Sequence, residues 1–462
     1  MLSAKSTPTR QQETRTILAI SMPLMAAYIA EMGMMITDMI IVGRLGSNEL
    51  AAVGLTADWF YVLLVIGMGV ISIVGVLVAQ SLGEGNMQAI RDSAEQGMIV
   101  ATLCAIPVTL AIWYLGPVLQ FTNQDPDVIR LIREYSRPLA FGVMPALWFV
   151  VLRNYVAALG KASGIMTITV LALVVNLGIN YALVFGKFGL PALGVTGAAY
   201  GTSIVNWMMF LILAFHVKFS KTFQGFPLSI FPRQFQKALC KEILRLGLPV
   251  TGAQMLSAAM FTVAAVLVGM LSADILAAQM VIYSVIYFGM SASLALGDAI
   301  RVRVAYGIGI RSAAAARQSA SIAIGLSVGI VLAASLFLWF FPSLLVGVFL
   351  DTSDPANAGV VGIAVGFSGV AGLFLLIDGT LMVIANGLKG LRDTKSTFWI
   401  SMIGYWVIGM SFGSWLCFPQ GYGAKGLWWG LVAGALIGIV MMLTRFRSQF
   451  ALIDSRLSAT NG

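Results

Sequence analysis

The stretch MPLMAAYIAEMGMMITDMIIVG, Met22 to Gly43, decides how the chain is read. As an α-helix rising ~1.5 Å per residue it is long enough to cross the ~30 Å hydrocarbon core of a bilayer. It also carries two carboxylates, Glu31 and Asp38. Seven positions apart, they lie within about 20° of one helical face. Met34 and Met35 fall between them on the same face. An acid near the middle of a membrane helix costs roughly 2.5–3.5 kcal/mol on insertion scales. Each such acid therefore needs a partner, a proton or a watery cavity, and each is a functional candidate.

Composition extends this reading to the whole chain. Of 462 residues, 59% are hydrophobic and 10% charged, against about 25% charged in soluble domains. The mean hydropathy is +0.92. These values predict an all-α polytopic membrane protein whose first partner is the lipid bilayer. The 49 glycines agree, because small residues let membrane helices approach closely. The net charge of +9 does not point to nucleic acid, since the basic residues gather in short connections between apolar runs. Cys104, Cys240 and Cys417 are scattered without CxxC spacing, and His216 is the sole histidine, so no zinc site is expected. No cleavable signal peptide is expected, because residues 1–15 are polar and the first apolar run is too long.

Twelve apolar runs reach the length a bilayer needs: 16–42, 52–81, 95–120, 131–158, 164–186, 192–217, 246–270, 276–300, 314–345, 358–387, 396–418 and 424–445. With the N-terminus inside, the inner segments hold 22 of the 28 Lys and Arg residues, among them Lys5, Arg153, Arg233 and Arg456, and the outer segments hold 6. The positive-inside rule then places both termini in the cytoplasm. The longest connection, basic and containing Pro227 and Pro232, divides the chain into six helices and six helices. The expected domains are an N-terminal lobe at 1–217, a cytoplasmic linker at 218–245 and a C-terminal lobe at 246–462. An internal repeat at an offset of 226 pairs Pro23 with Pro249, Gly43 with Gly269, and Leu50-Ala51-Ala52 with Leu276-Ala277-Ala278. Parallel repeats of this kind predict two pseudo-symmetric six-helix lobes around a central cleft.

Outside the first helix, Asp378 lies well inside the run 358–387, and Phe374 and Met382 share its face at i−4 and i+4. A carboxylate flanked by an aromatic ring and a thioether suits a soft organic cation. A buried carboxylate can also carry a proton. One group that holds either a proton or a cation is the physical basis of antiport. The competing reading makes each acid a satisfied helix–helix hydrogen bond, and Met34, Met35, Phe374 and Met382 plain packing residues. Asn176 and Asn180, one turn apart, and Gln254 and Ser257 on the run 246–270 are cleft-lining candidates or interhelical glue. Asp298 and Arg301 at i, i+3 predict a local ion pair, with Arg303 close by. No P-loop, HExxH or DDxxD motif is present, and the two GxSxG matches, Gly325–Gly329 and Gly409–Gly413, lie inside apolar runs rather than at a strand-to-helix turn, so the chain shows no ATPase or hydrolase signature.

Several long segments resemble the multidrug and toxic compound extrusion (MATE) family. They are TDMIIVGRLGSNELAAVGL (37–55), LRNYVAALGK (152–161), VNLGINYALVFGKFGLPALGVTGAAYGTS (175–203), LGLPVTGAQ (246–254) and DGTLMVIANGLKGLRDTKSTF (378–398). The chain is most similar to the NorM-like branch, through Asp378 and the Asn176/Asn180 pair. The resemblance implies a two-lobed, outward-facing antiporter without cofactor or nucleic-acid partner. It would export organic cations or drugs against H+ or Na+, as a monomer in a bacterial inner membrane. Asp38 and Asp378 match the family's acids, with Na+ at Asp378 as the metal the resemblance allows, and Phe374 stands where a Tyr is usual. One departure is plain: Ser257 stands where NorM-like relatives have Glu, and Glu31 is its repeat equivalent. This leads to the expectation that Glu31 and Asp38 titrate as a coupled pair and that protons weigh more heavily here. Two other classes stay open, a flippase for lipid-linked precursors and a membrane enzyme with paired acids. The first would line its cleft with Arg, and the second needs acid-rich motifs at a membrane face.

Overall fold

The computed structural model describes residues 8–122, 125–226, 228–229, 234–350 and 354–461. Lys5, Pro227, Pro232 and Arg233 lie outside the described residues, as does the side chain of Arg456. The described chain is helical throughout. In order the helices are α1 (Arg10–Gly43), α2 (Ser47–Glu84), α3 (Met87–Trp113), α4 (Leu115–Leu119), α5 (Pro126–Ala140), α6 (Val143–Ala158), α7 (Ser163–Phe185) and α8 (Gly194–Phe219). They continue as α9 (Lys237–Gly269), α10 (Ala273–Gly309), α11 (Ala313–Phe340), α12 (Pro342–Gly347), α13 (Ala358–Gly390) and α14 (Thr394–Ser401). A π-helical segment, Met402–Met410, then leads into α15 (Ser411–Cys417) and α16 (Gly423–Asn461).

Eleven helical spans among the described residues are long and apolar enough to cross a membrane, and twelve if α5 and α6 count as one span bent by 45°. The sequence reads that span as a single run over 131–158. The break falls at Phe141–Gly142, and side chains of α8 donate to the carbonyls around it. Ser203 donates to the Pro138 carbonyl at 2.7 Å, Trp207 to Phe141 at 3.2 Å and Asn206 to Gly142 at 3.4 Å. In lipid such backbone groups must find partners within the protein. Gly142 permits this approach, since a Cβ there would sit 2.9 Å from the Ser203 hydroxyl.

The 226-residue offset holds in the helix boundaries. Helices α1 and α9 end at Gly43 and Gly269, α2 and α10 begin at Ser47 and Ala273, and α3 and α11 begin at Met87 and Ala313. The chain divides into two compact units, Met22–Thr251 on one hand and Met1–Ser21 with Gly252–Gly462 on the other. The division runs inside α1 and inside α9. Helix α9 starts at Lys237, inside the stretch 218–245 read from the sequence as linker.

In the unit Met22–Thr251, α2 packs on α3, α5 and α6, while α7 pairs with α8. One turn beyond Asp38, Ile41 and Val42 enter a core with Val53, Ile132, Tyr135 and Val184. The start of the connection after α8 is tied to this unit. Tyr155 donates to the Phe226 carbonyl at 2.9 Å, Gln96 to the Gln234 carbonyl at 2.8 Å, and Lys161 sits 4.6 Å from the Phe226 ring centroid.

In the other unit α10 and α13 form the central pair, flanked by α11 and α16. Gly426, Gly430, Gly434 and Gly438 repeat every four residues along α16 and bring it against the π-helical segment and α15. A Cβ on Gly430 would lie 2.2 Å from Gly413 Cα, and one on Gly434 2.2 Å from the Gly404 carbonyl oxygen. The facing glycines, Gly404, Gly409 and Gly413, are spaced five and then four. The i→i+5 spacing of the π-helical turn keeps Gly404 on the same face as the other two.

Candidate functional site

Of the acids read from the sequence as functional, Glu31 and Asp38 lie in the unit Met22–Thr251 and Asp378 in the other. Asp38 is met by side chains of α7 and α8. Asn180 donates its amide to Oδ1, the Thr202 hydroxyl donates to Oδ2 at 3.2 Å, and Asn176 also lies within hydrogen-bonding reach. Asn176 in turn accepts from Thr37 at 3.4 Å. Tyr135 of α5, buried beneath, hydrogen-bonds Thr202. The glycines of GVTGAAYGTS make this arrangement possible. A Cβ at Gly201 would meet Asn180 Oδ1 at 1.7 Å, and one at Gly197 the Leu183 carbonyl oxygen at 2.6 Å. Asn180 Oδ1 is buried and without a hydrogen-bond partner, so an acceptor stands idle beside the carboxylate.

The structure thus brings Asp38, Asn176 and Asn180 together and adds Thr202 and Tyr135, which sequence reasoning missed. Thr202 lies inside the quoted motif 175–203. Tyr135 carries no local signal, because it arrives from α5.

Glu31 belongs to a different arrangement. Arg153 on α6 donates to it at 2.8 Å, and the same guanidinium lies 5.0 Å from the Tyr28 ring centroid. Arg153, counted from the sequence as an inner-segment cation, is a buried residue of α6. Glu31 thus meets Arg153 of α6, while Asp38, seven residues on along the same helix, meets Asn180 and Thr202. Met34 is half-buried beside them and Met35 is exposed.

In the second unit Asp378 is almost fully enclosed at 2% exposure. It accepts from the Tyr405 hydroxyl at 2.5 Å. Tyr405 stands on the π-helical segment next to Gly404, and Ser257 of α9 hydrogen-bonds it from the other side. Gln254, one turn before Ser257, has its Oε1 buried without a hydrogen-bond partner. Ser257 and Asp378 are thus joined through a phenol that the sequence reading did not single out. Met382 is half-buried one turn along, and its carbonyl accepts from Asn386 at 2.9 Å.

Phe374, read as lining a cation site, does not border open space in this structure: it is 0% exposed. Its ring packs edge-to-face against Phe261 at 6.0 Å and Trp428 at 5.8 Å, and Tyr283 contacts both of those rings. Such edge-to-face packing holds the ring in an aromatic cluster rather than at a surface.

Near the ends of the helices the charges are structural. Asp298 and Arg301 form the expected i, i+3 pair at 2.9 Å. Arg303 instead grips the fully buried Glu13 through two hydrogen bonds of 2.8 and 2.5 Å, and Ser319 adds a third at 2.6 Å. Among the described residues no group of three or more His, Cys, Asp or Glu side chains is arranged to hold a metal ion.

Comparison with known proteins fits this geometry. The family model described as MatE matches residues 23–182 and 249–415, two segments that begin at the repeat-related Pro23 and Pro249. A relative named probable multidrug resistance protein NorM, from Pseudomonas aeruginosa, is 33% identical over 97% of this chain and 92% of its own length. The multidrug resistance protein NorM of Burkholderia vietnamiensis is 33% identical over 96% of each chain. Among solved structures, a MATE in complex with MaL6 superposes with a TM-score of 0.88 at 20% identity, covering 96% of this chain and 97% of that one. The eukaryotic MATE transporter AtDTX14 gives 0.83 at 19% identity, covering 97% and 99%. At these identities the structural likeness speaks for the fold.

Proposed function

Because the chain belongs to the MatE family, we propose that it is a secondary active multidrug efflux antiporter, exporting amphipathic cationic compounds in exchange for H+ or Na+. The observation that carries the reading is the pair of acid sites, Asp38 with Asn176, Asn180 and Thr202, and Asp378 with Tyr405 and Ser257. Both are carboxylates inside apolar helices and ringed by neutral polar groups. Neutral partners leave the acid free to exchange a proton or a cation, whereas a fixed guanidinium would not. The relatives named multidrug resistance proteins support the choice of cargo.

Asp38 and Asp378 are the coupling residues in this proposal. The unpartnered Asn180 Oδ1 and the Thr202 hydroxyl add oxygen ligands of the kind a hard cation prefers. Met34, Met35, Asn176, Asn180, Gln254, Ser257 and Met382 border the path of cargo or ion. Glu31 is assigned to its ion pair with Arg153 rather than to coupling. Cargo and coupling ion compete for the same negative charge, so each favours a different conformation, and that competition links their fluxes. We place both termini in the cytoplasm of a bacterial inner membrane, on the strength of 22 inner against 6 outer basic residues, and treat the transporter as a monomer.

The flippase alternative asks for arginine facing its cargo, and Arg153 is committed to Glu31. The deciding experiment is flux in proteoliposomes with a pH or sodium gradient imposed separately. Cargo export that follows one gradient and is lost in Asp38→Asn/Asp378→Asn supports the proposal, and undiminished export in that double variant overturns it.

A further inference from the structure

An open groove of about 620 Å³ runs between α14 with the start of the π-helical segment and the far part of α16. Its cause lies in the glycines already described. Helix α16 and its neighbour touch backbone to backbone at Gly413–Gly430 and Gly404–Gly434. Beyond Gly438 the α16 face carries Met441, Thr444, Arg445 and Ser448, and such side chains hold the two helices apart.

The lining is graded along the groove. At one end stand Lys395 and Arg445 with the hydroxyls of Ser396 and Ser448. Toward the other lie Trp399, Ile400, Ile403 and Met441. Lys395, Trp399 and Ile403 are spaced i, i+4, i+8 on one face, so the cationic and apolar ends are separated by roughly 12 Å. Trp399 is 58% exposed, as a tryptophan at the level of lipid headgroups is expected to be. The charges at the cationic end can be counted. Asp393 accepts from Arg445 Nε at 2.6 Å and from Gln449 at 3.0 Å, which fixes the guanidinium and leaves its terminal nitrogens for another acceptor. Lys395 and Arg445, which line the groove, and Asp393, which holds Arg445 from outside it, together carry a charge of +1, the complement of a single phosphodiester.

We propose that this groove binds an anionic phospholipid, with its phosphodiester between Lys395 and Arg445 and an acyl chain along Trp399, Ile403 and Met441. The headgroup carries the specificity, because any lipid satisfies the apolar floor and only an anionic one matches the net positive charge at the cationic end. The assignment rests on the membrane placement proposed above only for which leaflet supplies the lipid. Its test does not involve transport, so either reading can fail without the other.

Native mass spectrometry of the full chain, titrated with phosphatidylglycerol or phosphatidylcholine, measures lipid retention directly. We expect phosphatidylglycerol to be held more tightly, and Lys395→Gln to weaken it by about fivefold, the effect of one cation near a headgroup. Lys425→Gln, at the opposite end of α16, should change nothing. Met441→Trp fills the floor without altering charge and should weaken retention of phosphatidylglycerol as well, which keeps the proposal testable should the Lys395 variant fold poorly. Equal retention of the two lipids, equal loss in the Lys395 and Lys425 variants, or displacement of phosphatidylglycerol by millimolar inorganic phosphate would each overturn it.

Discussion

The Arg153 guanidinium donates to the Glu31 carboxylate at 2.8 Å, joining α6 to α1 inside the unit Met22–Thr251. Arg153 is the more enclosed partner, with 7% of its side chain exposed against 31% for Glu31. Removing the acid leaves a guanidinium buried without its carboxylate, and breaking a buried pair from one side costs about 3–5 kcal/mol. Partial exposure of Glu31 puts Glu31→Gln toward the low end of that range. Thermal unfolding in detergent should show a clear loss for Glu31→Gln and a smaller one for Glu31→Gln/Arg153→Met. Unchanged stability in the single variant, together with altered proton coupling, would return Glu31 to the transport cycle.

Glu13 offers a stricter case, since it is fully buried and held by Arg303 and Ser319. Glu13→Gln should lower stability by about 3–5 kcal/mol. The observable is a fall in the unfolding midpoint, with transport per folded molecule preserved.

Asn180 should matter to transport more than to folding. Asn180→Ala removes the donor to Asp38 and the idle oxygen beside it, and the small side chain spares the close approach at Gly201. We expect export to fall at least tenfold, a loss of about 1.4 kcal/mol in the rate-limiting step, with near-native expression. Gradient-driven uptake in inverted vesicles measures it.

Tyr405→Phe deletes one hydroxyl and keeps the ring. It takes away the hydrogen bond to Asp378 and the link to Ser257. A bond to a charged acceptor is worth about 1.5–3 kcal/mol, so the variant should transport roughly tenfold or more slowly. Phe374→Tyr, by contrast, places a hydroxyl inside an aromatic cluster and should mainly cost stability. If Tyr405→Phe transports normally, the phenol is packing and the site at Asp378 is simpler than drawn.

Gly434→Ala tests the helix contact. Its Cβ would lie 2.2 Å from the Gly404 carbonyl oxygen, which is backbone and has no rotamer to yield. Overpacking of this kind costs typically 1–3 kcal/mol, read as a lower unfolding midpoint. Ala at Gly178, where nothing lies within 4 Å, should be neutral by comparison.

Much of the architecture was legible because bilayer length and hydropathy leave few choices. The repeat could be read to the residue, as the common ends at Gly43 and Gly269 attest. Asp38, Asn176 and Asn180 were each legible as candidates from their polarity at membrane depth, but their meeting was not, because α1 and α7 are distant in sequence. The partners that escaped come from other helices: Arg153 for Glu31, Tyr405 for Asp378, and Glu13 for Arg303. A helical face can be projected from spacing, but which neighbour it meets depends on packing between helices distant in sequence. The bend at Gly142 escaped for the same reason, because the side chains that bond the backbone around it come from α8.

The polypeptide passes from one unit to the other twice, at Ser21–Met22 and Thr251–Gly252. Both crossings are mid-helix, and Pro23 and Pro249 stand within two residues of them. A proline withholds one amide from the helical ladder and weakens the rod locally. Each of the two crossing helices therefore lacks a rung of its own ladder beside the point where the chain leaves one unit for the other, so the rod is at its most compliant where it changes allegiance.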